Sequence, residues 1–294
     1  MDATFARILL LAISLPFVSA CTTIGNTLMS AASERVAASL QSAVVNHNDP
    51  ATVRDGAPAW LLMVDALAAD DPDNAALQAQ AAQMYASYAG GFAADDPERA
   101  RRLSGRARSY GRAGICAQRG SACDLFDRSF DAFEAGLKMF SANDTAVLFA
   151  AALGELVWIQ AHADDWNAIA DLPRVQLLLD RVVALDPVHQ RGAPHAYLGV
   201  LHSLRPAALG GDPERARLYF ERAVELSGGR DLMTKVMYAE YYARVNFNRA
   251  LHDRLLGEVV EADPTAERYT LGNVLAQARA RKLLAEAGDY FIDE

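Results

Sequence analysis

Apolar residues recur with the period of an α-helix along almost the whole chain. The clearest example is the stretch 173–185, whose apolar positions follow the i, i+3, i+4, i+7 spacing of a helix with one buried face. These positions are Val175, Leu178, Leu179, Val182 and Leu185. No stretch alternates apolar and polar residues in the way that a half-buried strand does. The pattern predicts an all-α protein.

A six-residue sequence typical of a helix start occurs twice. Asp96–Arg101 reads Asp-Pro-Glu-Arg-Ala-Arg and recurs unchanged at Asp212–Arg217. An aspartate caps free amide groups, a proline suits the first helical position, and a glutamate in the first turn is favoured by the helix dipole. Each copy follows a glycine pair, Gly90-Gly91 or Gly210-Gly211, which we expect to end the preceding helix. We favour this connector role over a phosphate-binding loop, because no Lys-Ser/Thr pair follows the glycines.

Helix pairs that recur at long period predict a tetratricopeptide-like array of helical hairpins, an α-solenoid. The clearest trace is Leu-Gly-x-x-His at 198–202, followed by Ala-x3-Phe-x2-Ala at 216–223, with an enlarged loop between them. We predict a repeat domain over 28–287, interrupted at 112–142, and a C-terminal tail over 288–294. The predicted units are 28–71, 75–111, 143–187, 193–228 and 232–263, and a last helix covers 265–287.

The first 21 residues resemble the export signal of a bacterial lipoprotein. An apolar run, Ile8 to Phe17, leads into Val-Ser-Ala and then Cys21, the residue that such proteins acylate with diacylglycerol and palmitate. The resemblance predicts a removed signal peptide (1–20), a lipidated tether (21–27) and a location on the periplasmic side of a bacterial membrane. Thr22 stands where an aspartate retains some lipoproteins in the inner membrane, which favours the outer membrane. The alternative is an ordinary secretory signal that is cleaved elsewhere.

The charge of the chain and its apolar runs exclude some classes of partner and of membrane association. The formal net charge is −9, and the chain has no basic run, which argues against nucleic acid as a partner. After Cys21 no run of 18 apolar residues follows, so we expect no membrane-spanning helix.

Cys116 and Cys123 lie seven positions apart, which predicts a disulfide that stabilises the fold by about 2–3 kcal/mol at most. Two reduced, buried cysteines are the alternative, and no histidine or second cysteine pair nearby in the sequence suggests a metal site.

The sequence contains little that suggests catalysis. His195 and His202 lie two turns apart on one predicted helix face, which permits a shared site, but a core role is the more common one. Carboxylate doublets at 70–71, 95–96 and 164–165 lie at predicted helix ends, where capping explains them. Known nucleophile and zinc motifs are absent from the sequence. We therefore predict that the protein is not an enzyme and uses no cofactor or metal.

Aromatic side chains gather on the first helices of several predicted units. In stacked helix pairs these helices line the concave face, where such arrays bind their partners. The residues that we predict to line a groove for a ligand or partner are Tyr85, Tyr88, Phe92, Trp158, Tyr197, His202, Tyr238 and Tyr241. For each of them, packing between helices is the alternative.

Several stretches taken together resemble the TatT component family of TRAP transporters. The resemblance covers nearly the whole mature chain and combines the lipoprotein signal with the order and spacing of the segments. The matching stretches are Ala-Ala-x-Met-Tyr-x-x-Tyr-Ala-x-x-Phe at 81–92, Asp-Pro-x-Arg-Ala at 96–100, Gly-Asp-Pro-x-x-Ala at 211–216 with its continuation to 227, Val-x-Tyr-Ala-x-x-Tyr-Ala-Arg at 236–244, and Leu-x-Asn-x-x-Ala-x-x-Arg-Ala at 271–280.

The resemblance implies a periplasmic lipoprotein that serves a solute importer as an accessory. Such a protein is expected to dock the solute-binding protein of the importer, to contain an apolar channel for an apolar or amphipathic organic anion, and to associate as a trimer. The positions carried over as channel residues are Tyr85, Tyr88, Tyr197 and Tyr238. The rival hypothesis is a lipid-anchored helical scaffold for envelope or outer-membrane assembly.

Overall fold

The computed structural model describes residues 35–36, 39–204 and 211–291. The predicted signal peptide, Cys21 and the tether lie outside these residues, as do most of the loop before Asp212 and the end of the predicted tail. Within the described residues every regular element is a helix, and there is no strand. The prediction of an all-α protein is confirmed.

The α-helices are labelled in chain order from the first one that is long. They are α1 (Pro50–Asp70), α2 (Ala75–Phe92), α3 (Pro97–Gln118), α4 (Phe130–Leu137), α5 (Thr145–Ala161), α6 (Trp166–Ala170), α7 (Leu172–Leu185), α8 (Ala193–Ser203), α9 (Pro213–Leu226), α10 (Leu232–Met237), α11 (Arg249–Glu261), α12 (Thr270–Ala285) and α13 (Ala287–Tyr290). Residues 39–45 are also helical. A π-helix, Tyr238–Ala243, continues α10, and short 3₁₀ turns cover Gly120–Ala122, Leu125–Asp127, Ala142–Asp144 and His189–Gly192.

The repeated six-residue sequence begins a helix in both copies. Asp96 caps α3 by accepting a hydrogen bond from the amide of Arg99 at 3.0 Å. Asp212 caps α9 in the same way, with the amide of Arg215 at 3.0 Å. In both copies the proline after the aspartate is the first helical residue. The predicted helix starts are therefore confirmed down to the capping atom.

Several predicted boundaries differ from the observed ones. Helix α2 passes through Gly90-Gly91 and ends at Phe92, whose ring packs 5.5 Å from that of Tyr88 one turn earlier. Helix α3 runs to Gln118, into the segment 112–142, because its last turn is tied to the start of α5 by a 2.6 Å hydrogen bond from Gln118 to Asp144. The segment 112–142 is part of the core, since α4 packs on α7.

Helical structure also continues further towards the C-terminus than predicted. Helix α13 covers residues assigned to the tail, and Phe291 after it is only 7% exposed. The ring of Phe291 packs edge-on against the buried His252, with centroids 5.1 Å apart. This contact holds the last described residue on the fold.

Helices α3 and α5 cross at very short range because two glycines lie at the crossing. A Cβ atom on Gly154 would lie 2.6 Å from the carbonyl oxygen of Ala107, and one on Gly111 would lie 2.8 Å from the Cα atom of Ala151. Any larger residue at either position would push the helices apart. This contact joins α2, α3, α5 and α7 into one hydrophobic cluster.

Helix α5 is the core helix of the fold. Residues Ala142–Ala161 are long and apolar enough, by length and composition alone, to cross a membrane, and among the described residues they are the one such stretch. In the most apolar 18-residue window of this stretch, however, 61% is buried within the fold. A helix that is apolar all round is expected at the centre of a protein as well as in a membrane.

The two ends of the described chain meet. The backbone amide of Arg268 donates a hydrogen bond to Oδ1 of Asn46 at 2.6 Å, across 222 positions of sequence. Leu271 of α12 belongs to the same hydrophobic cluster as Val53 of α1 and Tyr88 of α2. The contact of the first helices with α12 forms the walls of the cavity described next.

Candidate functional site

An apolar cavity of about 240 Å³ lies where the ends of the chain meet. Its walls come from four elements: the helical residues 39–45, α1, α2 and the beginning of α12. Ligand sites are typically apolar clefts of about 300–1,000 Å³ with a few polar groups, so this cavity is at the small end of the range. The apolar side chains that form most of its surface include Val44, Trp60, Leu61, Met84, Leu271 and Leu275.

Two other depressions are less suited to an apolar ligand. A crevice of about 560 Å³ beside Asp65 and Arg106 is wide open to solvent. A depression of about 280 Å³ between Ala89 and Ala161 has a more polar surface than the cavity between α1, α2 and α12. The apolar cavity is therefore the candidate site.

The polar lining of the cavity is sparse. It consists of Gln41, Gln83, Ser87 and Arg268, so Arg268 is the one charged residue among the lining side chains. Arg268 has a left-handed backbone with a φ of 73°, a conformation that non-glycine residues rarely adopt. The hydrogen bond of its amide to Asn46 holds that conformation.

Tyr88 and Phe92 are the two predicted groove residues that line this cavity. The Tyr88 hydroxyl donates to the backbone carbonyl of Arg54 at 2.8 Å and accepts from the guanidinium of Arg99 at 2.8 Å. These two bonds satisfy the hydroxyl, so Tyr88 presents its apolar ring to the cavity wall.

Tyr85 is close to the cavity but does not line it. It is 4% exposed, and its hydroxyl donates to Asp65 at 2.8 Å, while Tyr110 donates to the other oxygen of Asp65 at 2.5 Å. Burial, together with the hydrogen bond to Asp65, raises the pKa of Tyr85 and raises that of Tyr110 to about 12. Both tyrosines therefore stay protonated and join α2 and α3 to α1.

Trp158 lies elsewhere, at a buried ion pair. The guanidinium of Arg108 is 3.7 Å from the centre of its ring, and His162 stacks on it at 4.5 Å. Arg108 and Arg112 each donate to Glu155, at 2.8 Å and 2.7 Å, and the Glu155 side chain is only 4% exposed. Trp158 thus covers a charged contact between α3 and α5.

The remaining predicted groove residues pack between helices. Tyr197 packs against Phe149, with centroids 6.2 Å apart, and belongs to the central hydrophobic cluster. Tyr238 stacks on Phe220 at 5.0 Å in a separate cluster, to which Tyr241 also belongs. The structure therefore does not bring the predicted residues together in one groove.

The histidines form no shared metal site. His195 and His202 both contact the ring of Tyr219, with centroid distances of 5.8 Å and 5.5 Å. His195 also bonds the carbonyl of Pro187 through Nε2 at 2.9 Å. Among the described residues, no group of three His, Cys, Asp or Glu side chains could hold a metal ion.

The carboxylate doublets and the cysteine pair lie away from the cavity lining. Asp164 pairs with Arg101 at 2.8 Å, and Asp165 caps α6. Cys116 and Cys123 are joined as a disulfide at the end of α3, with Cα atoms 4.2 Å apart. Asp164, Asp165 and the two cysteines thus each have a structural contact.

Sequence reasoning missed most of the cavity. Trp60, Leu271 and Leu275 were not predicted, although Trp60 is a large aromatic residue in the apolar period of α1, and Leu271 and Leu275 are spaced by one helical turn. The helical period gives the buried face of each helix but not the helix that packs against it. The contact of α1 with α12 could not be found in this way.

Two comparisons place the chain among known proteins. A family model described as TRAP transporter T-component matches residues 46–291, which include α1 to α13. A protein of Treponema pallidum (strain Nichols), described as uncharacterized, is 30% identical over 118 residues. That match covers 40% of this chain and 36% of the Treponema protein, so it spans little more than a third of the relative.

Proposed function

Because the chain belongs to the family of TRAP transporter T-components, we propose that it docks the solute-binding protein of a TRAP importer and holds an apolar or amphipathic organic anion for it. T-components are accessory components of these transporters and are not a known family of enzymes. The proposal therefore gives the chain a partner within the TRAP system and no chemical step of its own.

The apolar cavity is the observation that supports the second part of this proposal, the holding of a solute. Its walls are apolar over most of their area and contain one charged residue, Arg268. Burying an alkyl group in such a site gains about 0.8 kcal/mol per CH₂. A volume of about 240 Å³ corresponds to about eight water-sized groups at about 30 Å³ each, which suits a short or medium alkyl chain.

The proposal includes the location and the assembly of the protein. Acylation of Cys21 would anchor it to the periplasmic side of a bacterial membrane, with the outer membrane favoured by Thr22. The helix pairs would form a tetratricopeptide-like array, and three copies would associate. These parts are supported by the signal-like sequence and by the family, whereas the cavity bears only on the solute.

Docking is tested with the full chain and the solute-binding protein encoded beside its gene. We expect the two proteins to co-purify and to form a complex at concentrations on the order of tens of micromolar or below. A solute-binding protein from an unrelated importer serves as the control. No measurable complex at those concentrations would contradict the docking claim.

Solute holding is tested with a substitution that fills the cavity. Gly272 lines the cavity, and a Cβ atom there would meet no heavy atom within 4 Å, so Gly272→Leu can occupy the space without a backbone clash. Gly257→Leu is the matched control, because a Cβ atom at Gly257 also meets nothing within 4 Å and Gly257 does not line the cavity. We expect G272L to weaken the binding of radiolabelled octanoate by about tenfold or more and G257L to leave it unchanged.

The measurement is equilibrium dialysis of octanoate against the full chain in lipid nanodiscs, with the uptake of empty nanodiscs subtracted. Equal octanoate binding by the unaltered chain and by G272L would place the ligand elsewhere. No octanoate binding by the unaltered chain would contradict solute holding for this class of ligand. Nothing in the described residues favours the rival scaffold for envelope assembly, and it is not proposed.

A further inference from the structure

The charged lining of the apolar cavity has one sign. Among the described residues that line it there is one arginine, Arg268, and there is no aspartate or glutamate. The chain as a whole contains 37 acidic and 28 basic residues, so the charge of the lining is opposite to that of the protein. A concave site lined by one sign of charge raises the local concentration of ligands of the other sign. The cavity therefore favours an anion over a cation.

The backbone of Arg268 is fixed at the edge of the cavity. Its φ of 73° lies in the left-handed region, and its amide donates to Oδ1 of Asn46 at 2.6 Å. The residues that follow it, Tyr269, Leu271 and Gly272, line the same cavity. A non-glycine residue persists in this region only where its surroundings hold it. The contact between the two ends of the described chain thus determines where Arg268 stands.

The guanidinium of Arg268 is available to a ligand. The residue is exposed, and in the described part of the chain its side chain forms no ion pair. Other exposed arginines are paired, as Arg101 is with Asp164 at 2.8 Å. A guanidinium offers a planar fork of donors that matches the two oxygens of a carboxylate. An acid group bound there keeps part of its hydration, which avoids the large cost of burying a charge.

The wall formed by α2 adds a donor and no negative charge. The side-chain oxygen of Gln83 accepts a hydrogen bond from Gln190 at 3.1 Å, which leaves the NH₂ group of Gln83 to donate to a ligand. The hydroxyl of Tyr88 is already used by Arg54 and Arg99. On the α12 side, burial raises the pKa of Tyr269, so its hydroxyl stays neutral at neutral pH.

We propose that Arg268 binds the acid group of the solute at the edge of the cavity and that the solute is a monocarboxylate of short or medium chain length. Its alkyl chain lies along Trp60, Leu271 and Leu275. A dicarboxylate is excluded, because its second acid group would lie unpaired among these apolar side chains. This inference rests on the proposed function, since it assigns the solute class of the same cavity.

The test compares three probes that share an eight-carbon chain: octanoate, 1-octanol and octanedioate. Binding to the full chain in nanodiscs is measured by equilibrium dialysis. We expect octanoate to bind at least about tenfold more tightly than octanedioate, because a second charge cannot be buried unpaired. Raising the ionic strength from about 0.05 M to about 0.5 M should weaken octanoate binding and leave 1-octanol binding unchanged, since salt screens an exposed charge.

Substitution of Arg268 tests the residue itself. We expect Arg268→Gln to weaken octanoate binding by about threefold to tenfold and to leave 1-octanol binding unchanged, because the lost contact is charged but open to solvent. Arg268→Lys keeps the charge without the guanidinium fork and should lose less than R268Q. Arg281→Gln is the matched control, because Arg281 is an exposed arginine of α12 that does not line the cavity. R281Q should bind all three probes like the unaltered chain.

The outcomes separate this inference from the proposed function. If R268Q binds octanoate as tightly as the unaltered chain does, Arg268 is not the anion-binding residue, although the apolar cavity can still hold a solute. Octanedioate that binds as tightly as octanoate would overturn the assignment to monocarboxylates. Absence of binding by all three probes would remove solute holding itself. Should R268Q fail to fold, the salt dependence and the octanedioate comparison on the unaltered chain still decide the question.

Discussion

The side chains of Gln190 and Gln83 are joined by a hydrogen bond of 3.1 Å although the two residues are 107 positions apart. Gln83 belongs to the cavity wall, and Gln190, with a φ of 43°, belongs to the 3₁₀ turn His189–Gly192 that leads into α8. The bond thus couples the middle of the chain to the cavity formed by its two ends. Its geometry depends on a left-handed backbone at Gln190, which can be tested directly.

The left-handed backbone at Gln190 should tolerate asparagine and reject a β-branched residue. Asparagine adopts this conformation more readily than most residues, whereas valine is strongly disfavoured in it. Both substitutions remove the glutamine side chain, so their difference reports the backbone. We expect Gln190→Val to lower the free energy of unfolding by about 1–2 kcal/mol more than Gln190→Asn in urea titrations of the full chain. Equal losses would show that the turn relaxes at little cost.

The crossing of α3 and α5 should not accept a methyl group. In Gly154→Ala the new Cβ atom would lie 2.6 Å from the carbonyl oxygen of Ala107, so the helices must separate. Overpacking of this kind costs about 1–3 kcal/mol. Gly105→Ala on α3 is the control, because a Cβ atom at Gly105 meets nothing within 4 Å, and it should stabilise the protein by about 0.5–1 kcal/mol. Thermal unfolding of the two variants measures both effects, and a stabilised G154A would contradict the close crossing.

The buried carboxylate of Glu155 should be essential to the fold. Glu155→Ala removes the carboxylate that Arg112 contacts and leaves Arg108 with a longer contact to Asp171 at 3.7 Å. Breaking a buried ion pair in this way costs about 3–5 kcal/mol, and the partial exposure of both arginines places the expected loss near the lower value. Glu98→Ala removes an exposed glutamate from the same region and should leave the free energy of unfolding nearly unchanged. Similar midpoints for the two variants in urea would argue against a buried pair.

Asp144 should make stability depend on pH in the acid range. Burial by itself would raise its pKa, but hydrogen bonds from Arg119, the Ser141 amide and Gln118 outweigh burial and lower the pKa from 3.8 to about 2. Because the folded pKa lies below the unfolded value, Asp144 stabilises the fold above pH 3.8, and this contribution is lost as the pH falls towards 2. The full contribution is about 2 kcal/mol.

Asp144→Asn isolates this effect. The difference in free energy of unfolding between the unaltered chain and D144N should be constant above about pH 5 and should shrink between about pH 4 and pH 2. Urea unfolding at a series of pH values measures it. A difference that does not change over this interval would mean that Asp144 has the same pKa in the folded and unfolded chain.

The helix starts could be predicted from sequence because capping is local. Asp96 and Asp212 each bond the amide three positions later, so the residues that determine the cap lie within four positions of each other. The predicted helix ends were less accurate than the predicted starts, as α2 and α3 show. Phe92 and Gln118 extend their helices through contacts with side chains, and in the case of Gln118 the partner, Asp144, is 26 positions away.

The cavity depends on contacts that are distant in sequence. The sequence predicted that Tyr88 and Tyr238 line one groove, with packing between helices as the alternative, and both are buried. The sequence does not predict which helix each tyrosine contacts. Tyr88 shares a hydrophobic cluster with Leu271 of α12, whereas Tyr238 stacks on Phe220. The turn at Gln190 and Arg191 was equally hidden, because left-handed backbone at a non-glycine residue leaves little trace in the sequence.

The helical residues 39–45 form one wall of the cavity. Between Cys21 and residue 39 there are 18 peptide steps. A chain of that length, however it is arranged, reaches at most about 60 Å, since an extended residue spans about 3.5 Å. If Cys21 is acylated as proposed, this segment limits the distance between the bilayer and the cavity. A solute-binding protein would then have to approach the membrane surface to exchange its solute.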